Sequence, residues 1–466
     1  MLESVQRQVL MRKPHVSRRD IVRHGLAASA LAFAPSRLFS AFEGLSERQA
    51  KDRPWLAAAL KAERWLTASA IHGANGISWP ADPKNPKSVS PDLYNGMAGV
   101  VLFYLELHNA TKDENALKMA RGGADFLVAS LPDEPGNAAM GLYTGIAGTA
   151  VVLSYVHSVT GDERYQMGLD RALSLLKKGA RSNGLGVEWN DSTDIISGSA
   201  GIGLALISLS KQRTIDARQL AALAGDRLIE RSQVVADGRT WLISPQMPRN
   251  YPNFSHGTAG VSYFLTHLSG LTGSKGHLEA ALAGERYLSS IATETPNGGR
   301  MIYHSTPGND QLYYLSWCHG PAGTARLYRA LGGVTRDRKW DVRVKELALG
   351  IQHMKVPERS PGFWNNISRC CGNCGVSDFF IAMYRQSGDA SHLTYAEDIG
   401  HDTLARATAD GDGMKWIQAE HRVRPELLVA QTGLMQGAAG VGLAMLHLDG
   451  ARVGRNRLVV LPDDPF

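Results

Sequence analysis

A short glycine motif recurs seven times in this 466-residue chain and constrains its fold more than any other feature. Six copies read Gly-x-Ala-Gly, and an apolar stretch follows every copy. The first glycines of the seven copies are Gly96, Gly145, Gly198, Gly257, Gly320, Gly372 and Gly437. One copy would carry little information, but seven copies at intervals of 49 to 65 residues indicate a repeat architecture.

Amphipathic segments with helical spacing lie between the copies and keep their charged residues on one face. We predict these outer helices near residues 54–70, 113–131, 163–180, 216–233, 277–292, 339–354 and 391–408. The apolar stretches predict seven inner helices, because helices that are apolar all round are buried. A row of seven helical hairpins buries most surface when it closes on itself. The sequence therefore predicts an all-α, double-layered α/α toroid that forms one domain over residues 46–466.

The composition is that of a globular protein, with 44% hydrophobic and 20% charged residues. The formal net charge of +6 is concentrated at the N-terminus, where residues 1–37 contain seven Arg or Lys residues and two acidic ones. The rest of the chain is close to neutral and has no basic stripe with interleaved aromatic residues. We therefore expect no nucleic-acid partner.

Residues 1–45 read as a leader and linker. The pair Arg18-Arg19 precedes a mildly apolar stretch over residues 25–34, which resembles a twin-arginine export signal. The stretch is too short for an integral membrane span. We expect export to the periplasm or the medium. The alternative is a basic tail without a signal, which would leave the protein in the cytoplasm.

Four cysteines occur in the chain, at positions 318, 370, 371 and 374, and none lies in the first 317 residues. Cys318 and Cys370 each stand two residues before the first glycine of a motif copy, and Cys371 stands one residue before. Equivalent positions of a ring lie at equal height, so these three sulfurs are expected to meet at two neighbouring helix starts. Three thiolates with a fourth position open are typical of a catalytic Zn²⁺ site. Buried structural cysteines or a disulfide remain the alternatives.

Cys374 lies about one helical turn further on and replaces the alanine of the motif. It is interpreted as a small packed residue, and the alternative is a fourth metal ligand that would close the site.

The same register predicts that two further side chains lie at the mouth of the ring. His256 stands one residue before its motif, and Asp194 stands four residues before the preceding copy. A histidine titrates near neutral pH and a carboxylate can hold its orientation, so the pair is the candidate acid–base group. The alternatives are a hydrogen-bonded loop histidine and a helix cap. His319 is either a further acid or base or a polar residue of the funnel wall.

Two of the cysteine segments carry a family resemblance. They read Trp317-Cys318-His319-Gly320 and Cys370-Cys371-Gly372. With the seven motifs, they resemble the lanthionine synthetase C-like family, whose usual patterns are Trp-Cys-Tyr-Gly and Cys-His-Gly. Cys371 thus stands where the family has a histidine ligand, as in a subgroup of lanthipeptide synthetases with three cysteine ligands. The arginine that family members carry shortly before the first of these cysteines is absent here.

The resemblance implies a seven-fold α/α toroid with zinc on Cys318, Cys370 and Cys371. It implies addition of a thiol to dehydroalanine or dehydrobutyrine in a peptide, which forms a thioether, with His256 as the acid and Asp194 as its partner. The expected partners are a peptide substrate, a small thiol or both, and the oligomeric state stays open. A zinc- or peptide-binding protein without cyclase turnover is the main alternative. A sugar-processing toroid is a weaker one, since it would need paired carboxylates from among Glu188, Asp191 and Asp194.

Overall fold

The computed structural model describes residues 50–210, 215–358, 366–419 and 422–466. Fourteen helices form in these ranges, in two alternating sets. The outer helices are α1 (Pro54–Ala68), α3 (Glu114–Ser130), α5 (Glu163–Gly179), α7 (Ile215–Glu230), α9 (Lys275–Ser290), α11 (Lys339–His353) and α13 (Ala390–Ala405). The inner helices are α2 (Met97–Thr111), α4 (Ile146–Thr160), α6 (Ser199–Ser210), α8 (Thr258–Thr272), α10 (Pro321–Thr335), α12 (Asn373–Ser387) and α14 (Ala438–Val453).

The two sets differ in burial as their sequences predict. In α2 every residue from Met97 to Leu107 is buried, whereas α5 buries one face and exposes its charged residues. Side chains such as Asp113 and Asp162 accept hydrogen bonds from the first turns of the outer helices, which fixes where these helices begin. The outer helices therefore lie within three residues of the predicted bounds.

The hairpins close into a ring. Each inner helix packs against the outer helix that follows it, and the last inner helix, α14, packs against the first outer helix, α1. Neighbouring inner helices also touch all the way round, including α14 with α2. The predicted all-α toroid of seven inner and seven outer helices is confirmed.

The second glycine of each motif explains why the motif recurs. A Cβ atom at any of these glycines would lie 1.8 to 2.8 Å from the carbonyl oxygen of the residue six positions earlier, in the loop that enters the inner helix. The seven positions are Gly99, Gly148, Gly201, Gly260, Gly323, Gly375 and Gly440. Only glycine lets the loop backbone lie directly on the helix start.

A closed circle of seven main-chain hydrogen bonds joins these loops to one another. Each loop donates one N–H to a carbonyl of a neighbouring loop, with N···O distances between 2.7 and 3.1 Å. The donor–acceptor pairs are Tyr94–Tyr143, Tyr143–Ile196, Ile195–Ser255, Ser255–Cys318, Cys318–Cys370, Cys370–Met435 and Met435–Tyr94. All seven residues that stand two positions before a motif take part, so they do lie at one height around the mouth.

Within the described ranges, the loops contain seven two-stranded antiparallel hairpins. They are β1–β2 (Ile71–Gly73, Gly76–Ser78), β3–β4 (Arg181–Asn183, Gly186–Glu188), β5–β6 (Gln233–Val235, Gly238–Thr240), β7–β8 (Leu242–Ser244, Met247–Asn250), β9–β10 (Thr293–Glu294, Arg300–Met301), β11–β12 (Thr408–Asp410, Gly413–Lys415) and β13–β14 (Ile417–Ala419, Leu428–Ala430). Four of them are anchored by a tryptophan. Its Nε1 donates a hydrogen bond to the main-chain carbonyl of the residue thirteen positions earlier, as Trp241 does to Leu228 at 2.6 Å. The others are Trp79, Trp189 and Trp416.

The segment 457–466 turns back from α14 into the ring. The side chain of Glu106 on α2 accepts hydrogen bonds from the main-chain N–H groups of Leu458 and Val459, at 2.8 and 2.9 Å. Further along, Tyr263 on α8 donates to the carbonyl of Pro462 at 3.3 Å, and Asp463 is 1% exposed. The segment therefore crosses one face of the inner helices and ends among them.

Within the described ranges, every helix is too short or too polar to cross a bilayer. The predicted leader and its boundary at residue 45 lie outside the described residues and stay predictions, as does export.

Candidate metal centre

The three cysteines predicted as ligands come together at the mouth of the ring. Cys318 lies just before α10, and Cys370 and Cys371 lie just before the neighbouring inner helix α12. The Sγ atoms of Cys318 and Cys371 are 3.4 Å apart, as are those of Cys371 and Cys370, and all three fall within 4.8 Å of one another. A tetrahedral ion with bonds of about 2.3 Å requires sulfur–sulfur distances of about 3.8 Å. The spacing therefore fits one shared metal ion.

A disulfide does not form between these cysteines. All four cysteines are free thiols, and 3.4 Å between sulfurs is far beyond a disulfide bond of about 2.05 Å. Cys318 and Cys370 are buried, while Cys371 is partly exposed.

The charge balance of the group favours a cation. Burial raises the pKa of Cys370, but hydrogen bonds from Cys318, Cys371 and Tyr94 outweigh it and hold that pKa well below the usual value. Burial, with the neighbouring sulfur of Cys370, raises the pKa of Cys318 well above the usual value. The thiolate form of Cys370 is thus stabilised, whereas Cys318 and Cys371 are held as thiols. A divalent cation among the three sulfurs would let all three ionise together.

Two neighbours of the sulfurs were not singled out from the sequence as site residues. Tyr94 donates its hydroxyl to the Cys370 sulfur at 3.1 Å, and the Gln436 amide donates to that hydroxyl at 3.1 Å. Tyr94 stands two residues before the first motif and Gln436 stands one residue before the last. Their register was therefore a usable signal, because the ring brings the first and last units beside the sixth.

Cys374 lies within α12, is 1% exposed and is not one of the three sulfurs that share the site. Burial raises its pKa. The structure places it as a packed residue rather than a fourth ligand.

The two side chains predicted as an acid–base pair lie in contact. His256 Nδ1 and Asp194 Oδ2 are joined by a short hydrogen bond. The other carboxylate oxygen of Asp194 accepts from the main-chain N–H groups of Ser197 and Gly198, at 2.9 and 2.7 Å. Asp194 is therefore both a helix cap and the partner of the histidine. This arrangement directs Nε2 of His256 away from the carboxylate.

His256 belongs to a larger group of packed rings at the mouth, the histidine wall. Its ring stacks on His319 with centroids 5.5 Å apart, and His319 lies 4.4 Å from His304. Tyr251 and Tyr314 border the same group. Sequence reasoning did not select His304 as a site residue; the loop after β10 carries it into this group. No motif marks that loop, so the register could not locate it.

The carboxylates that a sugar-processing site would need are not paired with one another. Glu188 is 4% exposed and is bound by Arg227 at 3.1 Å and Arg231 at 3.2 Å. Asp194 is held by His256 and the main chain, as described above. Asp191 contacts Gln246 at 3.2 Å. These contacts give Glu188 and Asp194 structural partners and do not form a two-carboxylate centre.

The sequence matches a known protein family over most of its length. Residues 87–452 match the family described as "Lanthionine synthetase C-like protein". The chain belongs to the lanthionine synthetase C-like family. The match includes all seven motifs and the three cysteines. No curated protein sequence matches the chain significantly.

Solved structures resemble the toroid. A structure titled nisin cyclase has a TM-score of 0.61 at 15% identity, covering 85% of this chain and 93% of its own. An α-1,6-mannanase from Salegentibacter sp. HEL1_6 has a TM-score of 0.47 at 11% identity, over 86% of this chain and 99% of its own. A sugar epimerase from a ruminal bacterium reaches 0.45 at 12% identity, over 89% and 100%. At such identities the likeness to nisin cyclase shows the fold alone, and the two lower scores carry no argument.

Proposed function

We propose that this protein binds one Zn²⁺ on Cys318, Cys370 and Cys371 and catalyses the addition of a thiol to dehydroalanine or dehydrobutyrine in a peptide. The observation that carries the proposal is the convergence of three sulfurs within 4.8 Å beside the ordered His256–Asp194 pair. Zinc bound there would supply a Lewis acid that lowers the pKa of a substrate thiol.

The chain's own residues account for the proton that the product needs. The substrate sulfur forms a bond to the β-carbon of the dehydrated residue, and the electron pair of the double bond moves toward the adjacent carbonyl. Nε2 of His256 then delivers a proton to the α-carbon, while the proton of the thiol leaves to solvent or buffer. Asp194 is hydrogen-bonded to Nδ1, so the histidine ring keeps one orientation.

Aromatic rings lie close to the sulfurs. Tyr251, His304 and Tyr314 pack against one another and are each 3 to 5% exposed, and Tyr314 lies near the partly exposed Cys371. Arg249 and Arg422 lie close enough for their charges to lower the pKa of His304, after burial and His256. The name of the nisin cyclase structure is in keeping with a peptide substrate.

The test combines metal analysis with a thiol-addition assay. Zinc-loaded protein is incubated with a dehydrated peptide, with and without an added small thiol, and thioether is followed by mass spectrometry. We expect one zinc per chain and acceleration over the buffer reaction. His256→Asn should keep the zinc and lose about 10²- to 10⁴-fold in rate, the usual contribution of a positioned acid.

Zinc binding with saturable peptide binding and no acceleration would instead identify the binding protein without turnover. A fully reduced sample that takes up no metal would contradict both the zinc enzyme and the zinc-binding protein without turnover.

A further inference from the structure

The centre of the ring, beneath the cysteines, is filled by the chain itself. The segment 457–466 enters between the inner helices, and its residue Asp463 is 1% exposed. Its carboxylate accepts a hydrogen bond from the Tyr143 hydroxyl at 3.0 Å and another from Trp317 Nε1 at 2.8 Å. Both donors belong to loops at the mouth, and their rings contact each other with centroids 5.0 Å apart.

These two donors connect the segment to the metal centre. Trp317 directly precedes Cys318, and Tyr143 is a member of the circle of main-chain hydrogen bonds. The main chain of Cys318 bonds to Ser255 at 2.7 Å and to Cys370 at 3.1 Å. The indole of Trp317 is thus the side chain that ties this part of the circle to the interior.

Two arginines hold the segment next to Asp463. Arg326 is 7% exposed; it donates to the main-chain carbonyl of Asp463 at 2.7 Å and lies 3.6 Å from the carboxylate of Asp464. Arg457 contacts the other side of Asp464 at 2.7 Å. Burial raises the pKa of Asp464, but Arg326 and Arg457 outweigh it and hold that pKa below the usual value. An unpaired charge at such depth would be strongly destabilising.

We propose that the segment 457–466 is an internal plug, and that Asp463 is a positioning residue that fixes Cys318 through the indole of Trp317. The inference rests on the proposed metal centre and concerns how that centre is held. A bound metal tolerates displacement of its ligands by only about 0.5 Å. Loss of a group that orients a ligand commonly costs 10- to 100-fold in metal affinity.

The experiment titrates the reduced, metal-free protein with Co²⁺ alone and follows the thiolate-to-cobalt absorption. We expect Asp463→Ala to weaken Co²⁺ binding by about 10- to 100-fold and to alter the spectrum. Trp317→Phe removes the same hydrogen bond from the other side, so the double variant should be no weaker than the worse single variant. Asp463→Asn keeps an acceptor for the indole and should restore part of the affinity.

Asp449→Asn is the matched control. Asp449 is also a buried carboxylate, 2% exposed, and it is paired with Arg53 and Arg455, but it lies near the opposite end of α14 from the mouth. This variant should lower the melting temperature and leave Co²⁺ affinity unchanged. Co²⁺ affinity in Asp463→Ala and Trp317→Phe equal to that of the wild type would overturn the inference. Equal losses in Asp449→Asn would do the same, because the effect would then be one of general stability.

A second measurement needs no metal. Iodoacetamide labelling of the metal-free protein, mapped by mass spectrometry, should modify Cys318 at least about tenfold faster in Asp463→Ala than in Asp449→Asn, because exposure governs thiol reactivity. If the wild type binds no Co²⁺, the proposed function fails. The labelling rates alone then test whether the segment 457–466 fixes Cys318. Equal labelling rates in the two variants would then reject it. Should Asp463→Ala fail to fold, as judged by circular dichroism, Trp317→Phe takes its place in both measurements.

Discussion

At the scale of single residues, four cysteines divide into two chemical kinds. Three sulfurs lie together at one site, and the fourth is packed at the second residue of α12. We expect Cys318→Ala to reduce the bound zinc from one ion per chain to nearly none, because two sulfurs cannot hold a three-thiolate site. Cys374→Ala should keep the full amount. Zinc analysis of the two purified variants measures both outcomes, and equal zinc contents would contradict the assignment of the ligands.

The histidine wall makes a separate prediction about pH. Burial and the nearby charges lower the pKa of His304 to about 3. An unfolded histidine titrates near pH 6.5, so the unfolded chain binds one proton more between these values, and stability falls by about 1.4 kcal/mol per unit as the pH drops through that window. His304→Gln should therefore reduce the stability loss between pH 6.5 and 5 by about 2 kcal/mol.

Urea unfolding of wild type and His304→Gln at both pH values gives this difference directly. The exposed His72 on β1 supplies the control, since His72→Gln should leave the pH dependence as it is in the wild type. Parallel pH dependences for wild type and His304→Gln would argue against a neutral, buried His304.

The residues found from sequence were those that share a register with the motif. Cys318, Cys370, Cys371 and His256 stand one or two positions before a motif glycine, and a ring maps equal register onto equal height. Tyr94 shares that register, but a tyrosine there has no chemistry that marks it. Asp463 could not be found, because the segment that carries it belongs to no repeat and reaches the site only once the ring has closed.

At the scale of elements, the motif glycines are points of contact between loop and helix. A Cβ on Gly440 would lie 1.8 Å from the carbonyl oxygen of Leu434, whereas one on the exposed, helical Gly333 would meet nothing within 4 Å. We expect Gly440→Ala to destabilise the protein by about 3 kcal/mol through forced movement of the loop. Gly333→Ala should stabilise it by up to about 1 kcal/mol, the difference in helix propensity.

Denaturant unfolding of the two variants, with circular dichroism as the signal, measures these opposite effects. Two variants that shift stability in the same direction would show that helix propensity, and not the loop contact, explains the motif.

The helices were predictable and the hairpins were not. Helical periodicity accumulates over fifteen or more residues, so the bounds of α5 and α11 follow from the sequence. Strands of two to four residues are too short to display alternation. In four of the seven hairpins a tryptophan such as Trp241 adds a hydrogen bond to the preceding helix, which is a tertiary contact.

At the scale of the whole molecule, the proposed metal would join two neighbouring repeats. Cys318 belongs to the fifth unit, and Cys370 and Cys371 belong to the sixth. A ligand that binds only the folded state stabilises it by about 4 kcal/mol at a free concentration 1,000 times its Kd. Chelation of the metal should therefore lower the melting temperature by several degrees.

Differential scanning calorimetry before and after dialysis against a chelator checks this expectation. Cys318→Ala is the control, because it should melt at one temperature under both conditions. A wild-type melting temperature that does not respond to the chelator would mean that the repeats are not joined through a metal.

The main-chain circle at the mouth does not depend on which side chains its members carry. Its seven hydrogen bonds use only N–H and C=O groups, so any amino acid can accept in it and any except proline, which lacks the N–H, can donate. Tyrosine, isoleucine, serine, cysteine and methionine already occupy equivalent places. A scaffold of this kind can gain or exchange a reactive group without redesign of its core, and new chemistries could be grafted there one substitution at a time.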